Sequence, residues 1–173
     1  PFGTGSNGLY LYFGTSNPTQ VSYAVEVEGY PSYSATANNA GENGFSRVQE
    51  FLLIGLVPGE ENTVTLLATT RQGREETFSF TIDMPESTSG YDTQLEVVEG
   101  DVDPTELSNG LFYAMGFGDY YGYTFFFDND GVLRYEMVLE GYHSDRFLWD
   151  EDGTLVTCVG CLKIARLIRF GQV

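Results

Sequence analysis

One stretch, Gly55–Thr70, constrains the fold more than any other part of this sequence. It reads Gly-Leu-Val-Pro-Gly-Glu-Glu-Asn-Thr-Val-Thr-Leu-Leu-Ala-Thr-Thr. From Thr63 onward, threonine alternates with Val, Leu and Ala, the period of two that a strand shows when one face packs on a core and the other meets water. Leu67 alone breaks this alternation. The stretch therefore predicts a strand with one buried face.

The residues before this strand predict a corner. Pro58 fixes its backbone angle φ and has no N–H, while Gly59 accepts a positive φ. Leu56 is then left to pack beneath the turn. A strand, a Leu-x-Pro-Gly corner and an alternating strand are typical of fibronectin-type sandwiches where the chain passes from one sheet to the other.

The composition favours an all-β fold. The chain has 173 residues with 42% hydrophobic and 15% aromatic content, so it can bury a core, while 21 glycines and few helix-forming runs point to short strands and turns. We predict an immunoglobulin/fibronectin-III-like sandwich followed by an antiparallel meander that resembles the first blades of a β-propeller.

The positions of the turn-forming residues Gly, Pro, Asn and Ser divide the chain into a predicted sandwich over residues 1–82, a linker over 83–90 and a β-meander over 91–173. The strands predicted in the sandwich are Leu9–Phe13, Val21–Val27, Phe51–Ile54, Thr63–Thr70 and Thr77–Ile82. Those predicted in the meander are Gln94–Val98, Leu111–Met115, Tyr123–Phe127, Val132–Leu139, Arg146–Trp149, Thr154–Val159 and Cys161–Arg169. The last of these alternates only if one slip is allowed, which leaves a bulge or a short helix open.

Two aromatic-rich segments are candidate contact surfaces. The segment Gly29–Gly44 is predicted as a long irregular connection, and its Tyr30 and Tyr33 either stack on a ligand or cover the edge of the sandwich. The run Tyr120–Phe127 is either a ligand platform or part of the core. In both cases we favour packing over binding.

A short sequence motif that occurs twice in the predicted meander predicts two hairpin turns. Phe127–Leu133 and Trp149–Leu155 share the order aromatic, Asp, polar, Asp, Gly, small, Leu at a spacing of 22 residues. Asp-Gly between strands is a strong hairpin signal, because the turn needs residues that tolerate a positive φ. Asp128-Asn129-Asp130-Gly131 also resembles the start of a calcium loop, but Val132 and Leu139 stand where that loop needs further oxygen ligands. We favour the turn and predict no metal site.

The remaining candidates for chemistry are few. Cys158 and Cys161 form a single CxxC, and with His143 as the only histidine the chain lacks four ligands for a closed zinc site. The strand-rich context favours two strand cysteines over a redox pair, with a disulfide-like staple as the alternative. His143 lies beside Ser144 and Asp145, but neighbouring residues of an extended strand point to opposite faces and cannot assemble a catalytic triad. We predict no catalytic, cofactor-binding or metal-binding residue in this chain.

The charge is strongly acidic. Twenty-five acids against eight bases give a net charge of −17, and no Lys or Arg occurs between Arg74 and Arg134. Such a field repels nucleic acids and anionic membranes.

The sequence contains no run of 18 apolar residues and no leader at its start, so we expect no membrane span, and a start without Met suggests a processed chain. The segment Lys163–Arg169 is basic and either pairs electrostatically with the acidic remainder or guards an exposed sheet edge.

Three motifs together resemble the N-terminal region of the bacterial aryl-sulfate sulfotransferase family. They are Pro1-Phe2-Gly3-Thr4, the corner Gly55-Leu56-x-Pro58-Gly59-x-x-Asn62-x-Val64, and Asp130-Gly131-Val132-Leu133-Arg134-Tyr135 after the linker. Their order and spacing agree along nearly the whole chain. The resemblance implies an immunoglobulin-like sandwich followed by a six-bladed propeller, in exported periplasmic or extracellular enzymes that move a sulfuryl group between phenols without a nucleotide cofactor.

In that family the resemblance also implies a histidine nucleophile that becomes transiently sulfated, with further histidines and an arginine at the centre of the propeller. His143 does not match that motif, so no catalytic residue carries over. Two hypotheses follow. The chain is an N-terminal fragment or truncated member of the family that lacks the active site, or it is a secreted, non-catalytic binding module. Both predict a homo-oligomer through open sheet edges, and phenols and phenolic sulfate esters are expected as partners only of the full-length family.

Overall fold

The structure, a computed structural model, describes residues 7–37, 44–90, 94–95, 111–115, 123–138, 144–149, 154–159 and 163–169. Within these ranges every regular element is a β-strand and every strand pairing is antiparallel, which confirms the all-β prediction. The strands are β1 (Leu9–Glu26), β2 (Tyr33–Thr36), β3 (Ser46–Leu53), β4 (Glu61–Thr70), β5 (Glu75–Asp83), β6 (Phe112–Met115), β7 (Tyr123–Phe127), β8 (Leu133–Val138), β9 (Ser144–Trp149), β10 (Thr154–Val159) and β11 (Lys163–Arg169).

The first strand is longer than the sequence predicts. Leu9–Phe13 and Val21–Val27 were expected as separate strands because Gly, Ser, Asn and Pro18 lie between them. The structure instead has one strand of 18 residues, β1, whose first part pairs with β3 and whose second part pairs with β2 and β4. The register of the β1–β3 pairing shifts between Gly14 and Thr19, and this irregularity accommodates the proline without ending the strand.

The segment predicted as an irregular connection, Gly29–Gly44, contains the short strand β2. This part of the prediction was wrong. Tyr33 and Ala35 lie opposite Val25 and Tyr23 of β1 and face the core, where Tyr33 retains only 6% exposure. Four alternating residues are too few to stand out from a loop in the sequence, so only the pairing with β1 reveals them.

The corner before β4 forms as predicted. Leu56 and Val57 are fully buried, and Gly59 has a φ of 76°. Asn62 closes the corner, because its Oδ1 accepts from the Val57 N–H at 2.7 Å and its Nδ2 donates to the carbonyls of Val57 at 3.0 Å and Glu60 at 2.8 Å. These bonds satisfy backbone groups of the corner, and the Glu60 carbonyl also accepts from the Met84 N–H at 3.0 Å.

The core lies between the two parts of β1 and their partner strands. In β4, Val64 and Leu66 are buried while Thr63, Thr65 and Leu67 are half-buried, so the predicted alternation is confirmed. Phe51 of β3 stacks on Tyr23 of β1, with ring centroids 6.1 Å apart. Such offset aromatic pairs add stabilisation beyond the area that they bury.

After residue 90 the described strands form two three-stranded sheets, in the orders β6-β7-β8 and β11-β10-β9. Tyr123–Phe127 and Thr154–Val159 have the predicted bounds, and the other strands differ from prediction at their ends. The predicted Gln94–Val98 strand lies mostly outside the described residues, which show one bridge from Gln94 to Val132. Pairing of β10 with β11 shifts register between Thr154 and Val156, as a bulge requires.

One hydrophobic core connects the two parts of the chain. Phe126, Val132, Tyr135 and Met137 belong to the same buried cluster as the apolar residues of β1, β3 and β4. A second, smaller cluster comprises Tyr123, Phe125, Phe127 and Leu133. The hairpin β7–β8 therefore packs against the sandwich on one side and has its own apolar side on the other. The boundaries 1–82, 83–90 and 91–173 stay a prediction.

Candidate functional site: the junction around Arg134

Arg134 lies at the centre of the contact between the sandwich and the β7–β8 hairpin. Its side chain is fully buried and forms an ion pair with Asp128. Nη1 donates to the carbonyl of Gly55 at 3.1 Å, and Nη2 donates to the carbonyl of Pro31 at 2.7 Å. The backbone adds a bond in the same place, since Gly55 N–H donates to the Arg134 carbonyl at 2.7 Å. One guanidinium thus joins β8 to two separate connections of the sandwich.

The Asp128–Gly131 turn supplies the counter-charge. Asp128 Oδ1 accepts from the N–H groups of Asp130 and Val132 at 2.9 and 3.0 Å, and its Oδ2 accepts from Arg134 Nε. Gly131 has a φ of 76° and donates to the Asp128 carbonyl at 3.0 Å. This is the hairpin turn that the Asp-Gly signal predicts.

Both carboxylate oxygens of Asp128 accept from nitrogen donors of the protein and so hold the turn closed. The described part of the chain contains no group of three or more His, Cys, Asp or Glu side chains placed to hold a metal ion. The hydrogen bonds of Asp128–Gly131 are those of the predicted turn, while the absence of a metal site stays a prediction.

Tyr33 and Gly55 pack against each other beside the guanidinium. The Arg134 Cζ lies 5.4 Å from the centroid of the Tyr33 ring, within the range of a cation–π contact. Gly55 has a φ of 100°, and a Cβ at this position would lie 2.1 Å from Cδ1 of Tyr33. Glycine is therefore required here both for its backbone conformation and for the space it leaves to the ring.

Burial dominates the ionisation of Tyr33. Desolvation raises the pKa of its hydroxyl to about 12, although the Arg134 charge lowers it and the Asp128 charge raises it further. The hydroxyl has no hydrogen-bond partner among the described residues. Tyr33 therefore serves as a neutral, packed ring. The hypothesis that it stacks on an external ligand is not supported by a side chain this deeply buried.

Two further buried polar residues fasten the junction. Asn7 accepts from the Glu136 N–H at 2.8 Å and donates to the Leu56 carbonyl at 2.9 Å, so it connects β8 to the corner. The fully buried Glu136 carboxylate accepts from the hydroxyls of Ser87 and Thr88. The segment predicted as a linker thus contacts β8 through its side chains.

A cleft opens on the outer face of the sandwich near this junction. Its volume is about 820 Å³, and it is bordered by the Asp128–Asp130 turn. The floor consists mainly of small and hydroxyl-bearing side chains of β1, β2, β4 and β5, among them Ser22, Ser34, Thr36, Thr65 and Thr77. Such a surface offers hydrogen bonds and no nucleophile that is activated by a neighbouring base.

The other candidates separate into buried residues and residues outside the described ranges. Tyr123, Phe125, Phe126 and Phe127 are all buried, so the described part of the aromatic run belongs to the core, as favoured. Tyr30 packs partly buried against the sandwich core. His143 and Cys161 lie outside the described residues, and of Cys158 only the backbone, in β10, is described.

Sequence reasoning did not identify Arg134, Asp128, Asn7 or Glu136 as a network. A signal exists for Arg134, because it is the first base after a long stretch without Lys or Arg and stands in the largely apolar strand β8. A charge in such a strand requires a buried partner. Its partners at Gly55 and Pro31 lie 79 and 103 positions away, beyond any local pattern.

Comparison with known proteins agrees with the resemblance of the sequence motifs. Residues 1–85 match the family model of the arylsulfotransferase Ig-like domain. No curated protein and no solved structure matches the chain. The matched range contains β1 to β5, the corner and both sandwich carbonyls that Arg134 binds. Residues 1–85 of this chain therefore belong to the family of N-terminal Ig-like domains of arylsulfotransferases.

Proposed function

We propose that this chain is the N-terminal region of an aryl-sulfate sulfotransferase and that it serves as an accessory, non-catalytic part of that enzyme. The observation that carries the proposal is the family match over residues 1–85. In the proposed enzyme, sulfuryl transfer between phenols uses a histidine nucleophile from a part of the protein other than residues 1–173.

The chemistry of sulfuryl transfer supports this assignment of roles. The reaction needs a nucleophile and cationic groups that can hold the sulfate oxygens as charge moves to the leaving phenolate. Arg134 is a buried cation, but its Nε, Nη1 and Nη2 already donate to Asp128 and to two backbone carbonyls. The Asp128 carboxylate compensates its charge and its side chain is fully buried, so this guanidinium is not presented to a sulfate.

The geometry favours a structural task for the region. The Arg134 network and the shared core fix the β7–β8 hairpin against the sandwich. If β6–β8 and β9–β11 are the first blades of a propeller, the sandwich would orient that propeller through Gly55, Pro31 and Asn7. The repeated Asp-Gly hairpins at Asp128 and Asp150, 22 residues apart, support the comparison with propeller blades.

We further propose an exported protein, in the periplasm or outside the cell. Families of this kind are exported, and a net charge of −17 suits an acidic surface that stays soluble without binding nucleic acid. The described part of the chain contains no helix that could span a membrane.

A sulfotransfer assay tests the proposed lack of catalysis. The purified chain is incubated with 4-methylumbelliferyl sulfate and phenol, and release of the fluorescent phenol is followed beside a full-length member of the family as the positive control. We expect no turnover by the chain. Sustained turnover that scales with the concentration of the chain would refute the assignment.

Self-association through open sheet edges is a separate proposal. Within the described residues, β9 and β11 are the outer strands of their sheet, as are β6 and β8 of theirs. Unpaired edges favour pairing with another copy. Light scattering after gel filtration at several concentrations tests this proposal, and a monomeric mass at every concentration would contradict it.

One observation favours the alternative, a secreted binding module. The outer cleft of about 820 Å³ has a hydroxyl-rich floor and an acidic border. A surface of this kind fits a polyhydroxylated or cationic ligand better than an apolar one. Titration of a panel of neutral sugars and polyamines, with Thr65→Val as the variant and Val48→Thr as a control distant from the cleft, decides whether the cleft binds either class.

A further inference from the structure

Strand β5 presents an open edge along its whole length. It is the last strand of its sheet and pairs only with β4 among the described residues. Seven of its nine residues are exposed, and only Phe80 and Ile82 are half-buried. Natural edge strands are commonly short, bulged or covered, and a long, flat edge is a template for a further strand.

The side of β5 that faces the core is apolar and only partly covered. Phe78 lies opposite Leu66 of β4, and Phe80 lies opposite Val64. Leu66 and Val64 are 7% and 0% exposed, whereas Phe78 is 64% exposed. The rings of Phe78 and Phe80 lie 6.1 Å apart. The apolar face of the sheet therefore continues onto β5, where one more strand would cover Phe78 and extend the core by a row.

The charges around β5 are unequal at its two ends. At the carboxyl end Glu60, Glu61, Asp83 and Glu86 are all exposed, and Glu61 lies directly opposite Asp83. At the amino end Glu75 and Glu76 follow Arg74, which offsets part of their charge. An added strand would therefore meet concentrated negative charge beside the carboxyl end of β5.

These charges also determine which strand can be added. Two copies of β5 paired about a two-fold axis at Ser79 would place Glu75 of each copy opposite Asp83 of the other, and like charges directly opposite each other are unfavourable. A basic strand has no such penalty. Since every pairing among the described strands is antiparallel, the amino end of an added strand would lie beside Asp83.

We propose that β5 is a docking edge for an extended peptide segment of a partner protein, added antiparallel, with basic residues at its amino end and alternating apolar residues after them. Backbone hydrogen bonds along β5 provide the affinity, an apolar side chain on Phe78 and Phe80 sets the register, and the carboxylates at Asp83 set the direction.

The probe is a labelled peptide of nine residues, the length of β5, with two lysines at its amino end followed by alternating Thr and Val, so that in full antiparallel register its first two valines lie opposite Phe80 and Phe78. Fluorescence anisotropy measures its binding to the chain. Two control peptides have the same charge: one carries a central proline, which removes a donor and prevents strand pairing, and one has its lysines at the carboxyl end. We expect both controls to bind at least about tenfold more weakly, a difference of about 1.4 kcal/mol.

Variants of the chain locate the site. Phe78→Ser removes an exposed ring, so the fold should tolerate it, and it should weaken binding by about tenfold through the lost apolar contact. Val48→Ser, which also removes an exposed apolar side chain but from β3, should leave binding unchanged. Hydrogen–deuterium exchange on the unaltered chain should show new protection in residues 75–83 when the peptide is bound.

Four results would overturn the proposal. The lysine peptide fails to bind, or the proline peptide binds equally well, which would reveal charge attraction alone. In the third, bound peptide protects amides elsewhere and leaves β5 unprotected. Association of the chain with itself that Phe78→Ser abolishes would also overturn it, because a second copy would then be the occupant.

Discussion

Replacement of Arg134 by methionine should destabilise the protein strongly. Methionine retains much of the apolar stem of the side chain but removes the guanidinium, which is fully buried and contacts Asp128, the Gly55 carbonyl and the Pro31 carbonyl. The carboxylate, only 13% exposed, then lacks its counter-charge, and two carbonyls lose their donors. Removal of one partner of a buried ion pair costs about 3–5 kcal/mol.

Urea denaturation followed by circular dichroism measures this loss as a change in the free energy of unfolding. For a chain of this size the loss corresponds to a fall in melting temperature of roughly 10 °C. Arg47→Met is the matched control, since it removes an exposed guanidinium and should change the free energy of unfolding by no more than about 0.5 kcal/mol. The combined change Arg134→Met with Asp128→Asn removes the unpaired charge but keeps an acceptor for the turn. It should recover at least about 1 kcal/mol.

Two results would contradict this prediction for Arg134→Met. If Arg134→Met costs less than about 1 kcal/mol, or no more than Arg47→Met, the guanidinium does not stabilise the junction in the way its contacts suggest. If the double variant loses as much free energy of unfolding as the two single variants together, Asp128 and Arg134 are not coupled. The ion pair would then not account for the stability of the junction.

Three further predictions concern buried tyrosines and glycines near the junction. Tyr33→Phe should raise the free energy of unfolding by about 1 kcal/mol, because the buried hydroxyl of Tyr33 has no partner in the described structure. Tyr23→Phe should lower the free energy of unfolding by a similar amount, since the Tyr23 hydroxyl accepts from the Ile54 N–H at 3.3 Å. Denaturation curves in which the two variants change stability in the same direction would contradict this. Gly55→Ala should lower the free energy of unfolding by at least about 3 kcal/mol, and Gly73→Ala by about 1 kcal/mol. Both glycines have a positive φ, but only Gly55 faces the Tyr33 ring. Equal losses for the two variants in the same denaturation experiment would contradict the steric argument. Burial raises the pKa of Tyr33 and of Tyr135 to about 12. Native protein therefore holds these protons more tightly than unfolded chain, whose tyrosines titrate near pH 10, and stability should fall between pH 10 and 12 by about 2 kcal/mol for each group. Urea denaturation at pH 10, 11 and 12 measures this loss, and a free energy of unfolding that stays constant over that range would refute the assignment.

Local signals in the sequence predict the local parts of this fold well. The Leu56–Gly59 corner, the alternation of β4 and the Asp128–Gly131 hairpin each follow from a few neighbouring residues, and each occurs in the structure. Their physical causes are a fixed φ, a tolerated positive φ and a period of two, and none of these depends on distant parts of the chain.

The errors share a different cause. β2 is a strand because Tyr33–Thr36 pairs with β1, and the apparent break at Pro18 is absorbed because β1 exchanges one partner strand for another. Partner choice is a property of the folded chain and overrides local propensity. The Arg134 junction was missed for the same reason, since no local pattern indicates which carbonyls a buried arginine will meet.

The junction also gives a structural reason for the joint presence of two motifs that resemble the arylsulfotransferase family, the corner motif and the motif after the predicted linker. Gly55 begins the corner motif and Arg134 lies in the motif after the predicted linker, and each donates a hydrogen bond to the carbonyl of the other. A side chain at position 55 would displace the Tyr33 ring, and the guanidinium lies over that ring. A change in either motif therefore removes contacts that the other requires. Because a buried ion pair adds little net stability compared with an apolar replacement, the role that this geometry supports is orientation: the guanidinium fixes where the sandwich lies against the strands that follow it.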